Sequence, residues 1–188
     1  MIRLESSSVP TWAIAPEVGT LDQRGRTFSL VVIGDPGSRH LPAARAIAEA
    51  WTAQLAARPA GAVVHRELPA EAAVAVLTAD LHRALVGHRI LLTGTARDCL
   101  AVRAAVLAAG AEDDEVVIGV VDATERTVWC VHCAATTVTT AALEGETSCS
   151  GCSRRLVVHP HVSRRTGHHL GYMADAEEQP WSWPEPRA

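Results

Sequence analysis

Four of the five cysteines in the chain stand in two close pairs, Cys130 and Cys133 in the run VWCVHC, and Cys149 and Cys152 in the run SCSGC. Each pair has the C-x2-C spacing, and fifteen residues separate the pairs. Two thiolates three positions apart on a tight turn can bind one ion, and a second such turn completes a tetrahedral set of sulfur ligands. The spacing therefore predicts one metal site formed by these four side chains.

Zinc is the expected metal, because all-thiolate structural sites select it and a closed shell leaves no open position for catalysis. Iron in a rubredoxin-like site is the alternative. Rubredoxin-type sites separate their pairs more widely and usually follow each pair with glycine, whereas Ala134 and Ser153 stand at those positions. Disulfides are disfavoured because the first residues, MIRLESSSVP, do not resemble a secretory signal, which predicts a cytoplasmic protein. Cys99 is expected to be a small buried hydrophobe.

A basic segment rich in histidine follows the second cysteine pair, and no acidic residue occurs from position 147 to 174. His159 and His161 alternate along a predicted strand and could face one side, which makes them a candidate second metal or product site. Arg164 and Arg165 could pair with carboxylates or phosphates of a partner or ligand. The alternative is a solvated basic strand and turn without a function of its own.

The elements before the cysteines alternate between strand and helix patterns. Runs rich in β-branched residues predict strands at 27–34, 61–68, 89–94 and 115–122. Apolar residues at helical spacing predict helices at 42–58, 70–87 and 95–110, the last with Thr95 as N-cap and Gly110 as its stop. Parallel strands need crossover helices, so this order predicts an α/β fold with a parallel sheet flanked by helices.

We expect four segments along the chain. They are an N-terminal extension at 1–26, an α/β domain at 27–123, a small β-rich zinc-ribbon-like domain at 127–173, and an acidic tail at 174–188 that is rich in proline. The tail also holds Trp181 and Trp183, and both a docked and a disordered tail are compatible with its composition.

Composition restricts the function classes. Apolar residues make up 48% of the chain, which is enough for a packed core, and no apolar run approaches the roughly 20 residues of a membrane span. The net charge of −4 gives no overall attraction to nucleic acid. A zinc ribbon that binds nucleic acid through its arginines is an alternative, although no aromatic residues are interleaved with those arginines.

The α/β half resembles the nicotinamide-binding module of ferredoxin reductases. RILLTGTARDCLAVRAAVLAAGAEDDEV is similar to the last strand-helix-strand segment of that module, and LVVIGDPG to its first glycine-rich turn. The G-x-G-x-x-G pattern is absent, and Asp35 would repel a phosphate at this turn. The α/β half could bind a nucleotide, or it could be a scaffold of the same fold that binds none, and the sequence leaves both alternatives open.

The second half carries a more specific resemblance. After the two cysteine pairs, the chain contains Val157, His159, His161, Ser163, Arg164, Arg165, Gly167, Leu170, Gly171 and Tyr172. With the reductase-like half, this pattern resembles the small DmmA-like subunit of dimethylamine monooxygenase over roughly residues 25–178, and most strongly from Trp129 to Tyr172.

The resemblance implies an oxidoreductase complex that uses NADPH and O2 to convert dimethylamine to methylamine and formaldehyde. A haem-type subunit would perform the oxidation, and a reductase subunit with FMN and an iron-sulfur cluster would deliver electrons. The present chain would then be an accessory subunit of the hetero-oligomer, without haem or flavin of its own and with no assigned catalytic residue. Its segment with Ser163, Arg164, Arg165 and Tyr172 would dock onto a partner or line a path for product, and no nucleic-acid or membrane partner is expected.

Overall fold

A four-stranded parallel sheet forms the first half of the fold in the computed structural model, which describes residues 7–22, 24–57 and 63–177. Its strands are β1 (Thr27–Ile33), β2 (Val63–Leu68), β3 (His88–Thr95) and β4 (Val116–Asp122), in the spatial order β2-β1-β3-β4. β1 is buried at every position after Thr27, because both faces of this sheet are covered. This explains why its sequence is a continuous apolar run rather than an alternating one.

Three helices cover the two faces of this sheet: α1 (Leu41–Ala56), α2 (Ala70–Leu81) and α3 (Ala96–Ala108). Successive residues of β1 belong to different apolar clusters. Leu30 and Val32 lie in the cluster that contains Trp51 of α1, whereas Val31 and Ile33 lie in the cluster that contains residues of α2 and α3. The predicted α/β class, with helices flanking a parallel sheet, is confirmed.

A second, mixed sheet follows, and we call it the ribbon sheet. Its strands are β5 (Arg126–Cys130), β6 (Thr136–Thr139), β7 (Glu146–Ser148), β8 (Arg155–Val162) and β9 (His169–Met173). The spatial order is β6-β5-β9-β8-β7, in which β5 and β9 are parallel and the other neighbours are antiparallel. The predicted small β-rich unit around the cysteines is therefore present.

Helix α3 lies between the two sheets. Cys99 and Leu100 of this helix belong to one buried cluster with Val128, Leu156 and Val158 of the ribbon sheet, and that cluster also includes β1 and β3 residues. The prediction that Cys99 is a buried apolar residue is confirmed, and its burial raises the pKa of the thiol. The apolar core is thus continuous across the position near residue 123 where the sequence predicts a domain boundary. That boundary stays a prediction.

The N-terminal segment from Ser7 to Asp22 joins both halves. Ser8 bonds to the backbone of Val162 in β8, with its hydroxyl accepting from the N–H at 2.9 Å. Further along, Val18 makes an isolated antiparallel bridge to Gly119 of β4, and Asp22 pairs with buried Arg89 of β3 at 2.7 Å. β4 is an edge strand of the parallel sheet, and this bridge places the N-terminal segment along that edge.

Two helix ends can be compared with their predictions. Thr95 caps α3 as predicted, and its hydroxyl accepts a hydrogen bond from the N–H of Asp98. The sequence pattern predicts that α2 extends to Gly87, but the helix ends at Leu81. Its apolar pattern continues through Leu85 and Val86, yet these side chains are 83% and 96% exposed and no packing holds that turn in helical form. The predicted tail with Trp181 and Trp183 lies outside the described residues.

Candidate functional site

The two cysteine pairs form two turns with the same hydrogen bonds. Cys130–Cys133 follows β5, and the N–H of Ala134 donates to the carbonyl of Cys130 at 2.9 Å. The second turn follows β7, and the N–H of Ser153 donates to the carbonyl of Cys149 at 3.0 Å. These matched turns present each pair of thiols to a common point.

Each turn closes with a residue in the left-handed region. Ala134 and Ser153 both have φ of 59°, a conformation that favours glycine. These are the positions where rubredoxin-type turns usually have glycine. The backbone therefore adopts the glycine-type conformation although neither residue is glycine, and the residue types at these positions do not separate a zinc site from an iron site.

The four sulfur atoms have the spacing that one metal ion requires. The Sγ atoms of Cys130 and Cys152 are 3.8 Å apart, and those of Cys133 and Cys149 are 3.6 Å apart. All four ligand atoms lie within 4.8 Å of one another, and all five cysteines of the chain are free thiols. A tetrahedron with Zn–S bonds of about 2.3 Å has S–S edges of about 3.8 Å, so the cysteine set fits a zinc ion.

Local hydrogen bonds favour the thiolate form, which binds metal, at Cys149 and Cys152, whereas the pKa of Cys133 is raised to about 12 by desolvation and by its sulfur neighbours. Backbone N–H groups of Cys152 and Gly151 point at the sulfur of Cys149 and lower the pKa of its thiol to about 6. The backbone and side chain of Arg154 both donate to Cys152 and lower the pKa of that thiol as well. A zinc ion bound by four thiolates would carry a formal charge of −2, and the cation of Arg154 lies beside this site. The basic stretch thus partly serves the cysteine site.

The cysteine site is suited to structure rather than catalysis. Cys130 and Cys149 are buried, so each turn directs one thiol inward, and four protein thiolates would leave no position for a substrate. Within the described residues, these cysteines are the one group of three or more side chains placed to ligate a common ion. His159 and His161 do not belong to it.

The two predicted histidines have separate environments. His159 lies with its ring edge against Tyr172, and the ring centroids are 5.5 Å apart. The Nδ1 atom of His161 shares a hydrogen bond of 2.8 Å with the hydroxyl of Ser8. The structure therefore does not bring these two rings together around a common ion, and their role as a second metal or product site stays a prediction.

Arg164 and Arg165 are adjacent in sequence but differ in their contacts. Arg164 pairs with Asp113 at 2.8 Å, and Asp113 also contacts Arg103 of α3. Arg164 therefore ties the loop between β8 and β9 to the α/β half. Arg165 makes no ion pair or side-chain hydrogen bond to any described residue, so its guanidinium is available for a ligand or a partner.

A pocket of about 340 Å³ lies beside this loop, and we call it the loop pocket. Its lining contains the predicted residues His161, Ser163 and Arg165 together with Trp129, Thr166, His168, His169 and Leu170. Of these, His169 is the most important residue that the sequence interpretation missed. It pairs with Val128 across parallel strands, and its ring is buried. No local signal in the run HHLGYM identifies it, because its burial follows from the pairing of β9 with β5.

The α/β half has a cavity of about 380 Å³ at the carboxyl ends of its strands, where nucleotides bind in related folds. Its lining includes Gly34, Thr95 and four carboxylates, from Asp35, Asp98, Asp122 and Glu125. The cavity also has basic side chains, and Arg97 pairs with both Asp98 and Glu125. This acidic lining opposes a pyrophosphate, in agreement with the expected effect of Asp35, and the two alternatives for nucleotide binding both stay open.

Among the described residues, no helix is both long and apolar enough to cross a membrane.

Comparison with known families matches residues 127–172 to the family described as dimethylamine monooxygenase subunit DmmA-like, C-terminal domain. The chain is also 36% identical over 128 residues to the heme-dependent oxidative N-demethylase delta subunit of Ectopseudomonas mendocina (strain ymp). That alignment covers 66% of this chain and 71% of the relative. No solved structure matches.

Proposed function

Because the chain belongs to the DmmA-like family of N-demethylase subunits, we propose that it is an accessory subunit of a multicomponent oxygenase. The reaction we assign to the complex is the NADPH- and O2-dependent conversion of dimethylamine to methylamine and formaldehyde, in the cytoplasm. A haem-type subunit would oxidise the amine, and a reductase subunit with FMN and an iron-sulfur cluster would supply electrons. The family relationship is the observation that carries this proposal.

The metal has a structural role in this proposal. Cys130, Cys133, Cys149 and Cys152 would hold zinc, and the ion would link the turn after β5 to the turn after β7. Structural zinc sites contribute on the order of 10 kcal/mol to folding. The ion would therefore fix the ribbon sheet and, through it, the position of the loop between β8 and β9.

The exposed face of the ribbon sheet is the surface we propose for a partner subunit. Trp129 pairs with Leu170 on neighbouring strands, and Tyr172 follows on the same face two residues later. Trp129 is 37% exposed and Tyr172 is 39% exposed, and aromatic side chains of this kind are enriched at protein interfaces. Ser163, Arg164 and Arg165 lie in the adjoining loop and would contribute polar contacts at the rim.

The test is co-expression of this chain with the products of its neighbouring genes, followed by affinity purification through a tag on this chain. We expect haem and flavin subunits to co-purify, the complex to demethylate dimethylamine with NADPH, and each copy of this chain to contain one zinc ion. A chain that purifies alone, while the remaining subunits show full demethylase activity without it, would contradict the proposal.

A rubredoxin-like iron carrier is the second candidate. The left-handed backbone at Ala134 and Ser153 keeps it in competition, because rubredoxin-type turns use this conformation. Iron bound by four thiolates absorbs visible light, whereas zinc does not. A visible charge-transfer band, together with one iron per chain in the purified complex, would therefore favour electron transfer over a structural role for the cysteine site.

A further inference from the structure

The exposed face of the ribbon sheet carries an apolar patch. Trp129 on β5 pairs with Leu170 on β9, so their side chains lie next to each other. The N–H of Val131 donates to the carbonyl of Gly171 at 3.1 Å, which continues this pairing and places Val131 beside Tyr172. The exposed fractions are 37% for Trp129, 42% for Val131 and 39% for Tyr172. We call Trp129, Val131, Leu170 and Tyr172 the ribbon patch.

The large aromatic side chains of the α/β half have a different environment. Trp51 is 2% exposed and Phe28 is 1% exposed, and both pack in the core. Exposed apolar side chains are ordinary where they are scattered, whereas a contiguous group with two aromatic rings indicates a surface that another group covers. A chain segment or a partner is therefore expected to cover the ribbon patch.

The chain itself continues from this sheet into a segment with two more tryptophans. β9 ends one residue after Tyr172. The structure describes the chain up to residue 177, and the sequence continues with EQPWSWPEPRA at 178–188, which we call the Trp segment. Trp181 and Trp183 are two positions apart, a spacing that directs both rings to one side of an extended chain. The Trp segment thus offers a pair of rings to a flat apolar surface.

The Trp segment is long enough to reach the ribbon patch. The N–H of Ala174 donates to a carbonyl of β8 at 2.9 Å, so the chain is still held on the ribbon sheet at this residue. An extended chain spans up to about 3.5 Å per residue, which allows Trp181 and Trp183 to lie as far as about 25 and 32 Å from Ala174. With strands about 4.8 Å apart and a rise of about 3.3 Å per residue, Trp129 is only about 14 Å away.

Charge favours the same contact. No acidic residue occurs from position 147 to 174, whereas Glu178 and Glu185 stand on either side of the two tryptophans. Arg165 lines the loop pocket together with Trp129 and has no ion pair with any described residue. Its guanidinium can bind a carboxylate of the Trp segment or stack on one of the indole rings.

We propose that the Trp segment folds back over the ribbon patch of its own chain, with Trp181 and Trp183 packed on Trp129 and Tyr172. The role of this contact rests on the proposed function, because the same face is the one assigned to a partner subunit. The segment covers the patch in the free chain, and the partner displaces it. Its covalent attachment gives it an effective concentration on the order of millimolar, so a weak or incorrect partner does not compete.

The first test is hydroxyl-radical footprinting of the full, zinc-loaded chain. In the variant Trp181→Ser, Trp183→Ser, we expect Trp129 and Tyr172 to be oxidised about threefold faster or more, because the covered state is then lost. The variant Gln179→Ser, Arg187→Ser is the matched control, since it changes the Trp segment without removing an indole, and it should behave like the unsubstituted chain. Leu85, which is 83% exposed on the α/β half, is the internal reference for radical dose.

The second test observes the contact from the other side, by 19F NMR of the chain labelled with 5-fluorotryptophan. Tyr172→Ser should shift the resonances of Trp181 and Trp183 and leave that of buried Trp51 unchanged. Val64→Ser is the control, because Val64 is similarly exposed, at 42%, but lies on β2 of the other sheet. It should shift neither resonance of the Trp segment.

Several results would overturn the proposal. Equal oxidation of Trp129 in the unsubstituted chain and the double tryptophan variant would show that the Trp segment does not cover it. Protection that is lost on about tenfold dilution would assign the ribbon patch to a second copy of the chain, since an intramolecular contact does not depend on concentration.

The two proposals can fail separately. If Trp129 is unprotected while haem and flavin subunits still co-purify with this chain, the intramolecular contact is wrong and the accessory-subunit proposal stands. If Trp129 is protected and no subunit co-purifies, the contact stands and the accessory-subunit proposal fails. If both hold, the double tryptophan variant should recover at least as much of the partner subunits as the unsubstituted chain, and a lower recovery would overturn displacement by the partner.

Discussion

Gly167 lies directly against the backbone of α3: a β-carbon at this position would be 2.4 Å from the carbonyl oxygen of Leu100. Gly167 also has φ of 71°, and its N–H donates to the carbonyl of Ser163 at 2.8 Å. The loop that carries Arg164 and Arg165 is therefore seated on the central helix at a point where only glycine fits. This contact orders the loop pocket relative to the α/β half.

Gly167→Ala should destabilise the chain by about 3 kcal/mol or more, because the new methyl group clashes with rigid backbone in addition to straining φ. Gly110→Ala is the matched control, since Gly110 has φ of 106° and no described atom lies within 4 Å of the place its β-carbon would take. It should cost only the strain, about 1 kcal/mol. Urea denaturation measures both, and equal losses would show that the contact with Leu100 contributes nothing.

Cys130→Ser and Cys149→Ser should each abolish metal binding and give an insoluble or unfolded ribbon sheet. The reason is the loss of folding energy, on the order of 10 kcal/mol, that a structural zinc supplies. Cys99→Ala is the control, because Cys99 does not belong to the sulfur cluster, and this variant should keep one metal per chain. Elemental analysis and solubility are the measurements. A soluble serine variant that binds its partners without metal would contradict the structural role.

Glycine at either left-handed position should stabilise the cysteine turns. Ala134→Gly and Ser153→Gly remove a conformational cost of about 1–2 kcal/mol, against a loss of roughly 0.5–1 kcal/mol from the added freedom of the unfolded chain. A net gain of about 1 kcal/mol is expected in denaturation at fixed zinc concentration. Ala135→Gly, at the next position, should instead be destabilising. A loss of stability in all three variants would show that the left-handed conformations carry no strain.

The double variant Arg164→Ala, Arg165→Ala should keep its zinc but weaken assembly or activity of the complex. The stability cost should stay within about 1 kcal/mol, because the Arg164–Asp113 pair is largely exposed to solvent. Pull-down yield, demethylase rate and metal content are the three readouts. Unchanged pull-down yield with an unchanged demethylase rate would show that the basic segment neither binds a partner nor lines a path for product.

Folding stability should fall in mild acid because of His169. Burial and the nearby cation of Arg126 lower its pKa to about 4, whereas the unfolded chain has a value of about 6.5. Well above pH 6.5 the ring is neutral in both states and contributes no pH dependence. As the pH falls toward 4, the unfolded chain binds a proton that the folded chain does not, which lowers the free energy of unfolding by about 3 kcal/mol.

His169→Gln should flatten this part of the stability curve, and His82→Gln, at an exposed histidine, should not. The comparison is made as the difference between each variant and the unsubstituted chain, because acid also protonates the cysteine ligands in all of them. Parallel curves for the chain and His169→Gln between pH 6.5 and pH 4 would show that the buried ring does not control this dependence.

Local sequence features predict the elements whose causes are local. The C-x2-C spacing predicts that Cys130 and Cys149 belong to one sulfur cluster, and the hydroxyl of Thr95 predicts the start of α3. The α/β class follows from the alternation of apolar runs with helical periodicity. Each of these features depends on residues that are near one another in the sequence. At that range, spacing and side-chain chemistry determine the local structure.

Features that depend on distant contacts are not predictable in this way. The burial of His169 follows from the parallel pairing of β9 with β5, which nothing in the run HHLGYM specifies. The early end of α2 follows from the lack of packing around Leu85, although its apolar pattern continues. The different roles of Arg164 and Arg165 depend on where Asp113 lies in the fold.

The hydrogen bonds of Ser7 and Ser8 to the end of β8 have a consequence for synthesis of the chain. They join residues 153 and 154 positions apart, so they cannot form until Val162 has left the ribosome. The parallel sheet can assemble earlier, with its N-terminal segment still free at that end. Final closure of the two halves is therefore a late step, and α3 stays uncovered on one side of the nascent chain until then.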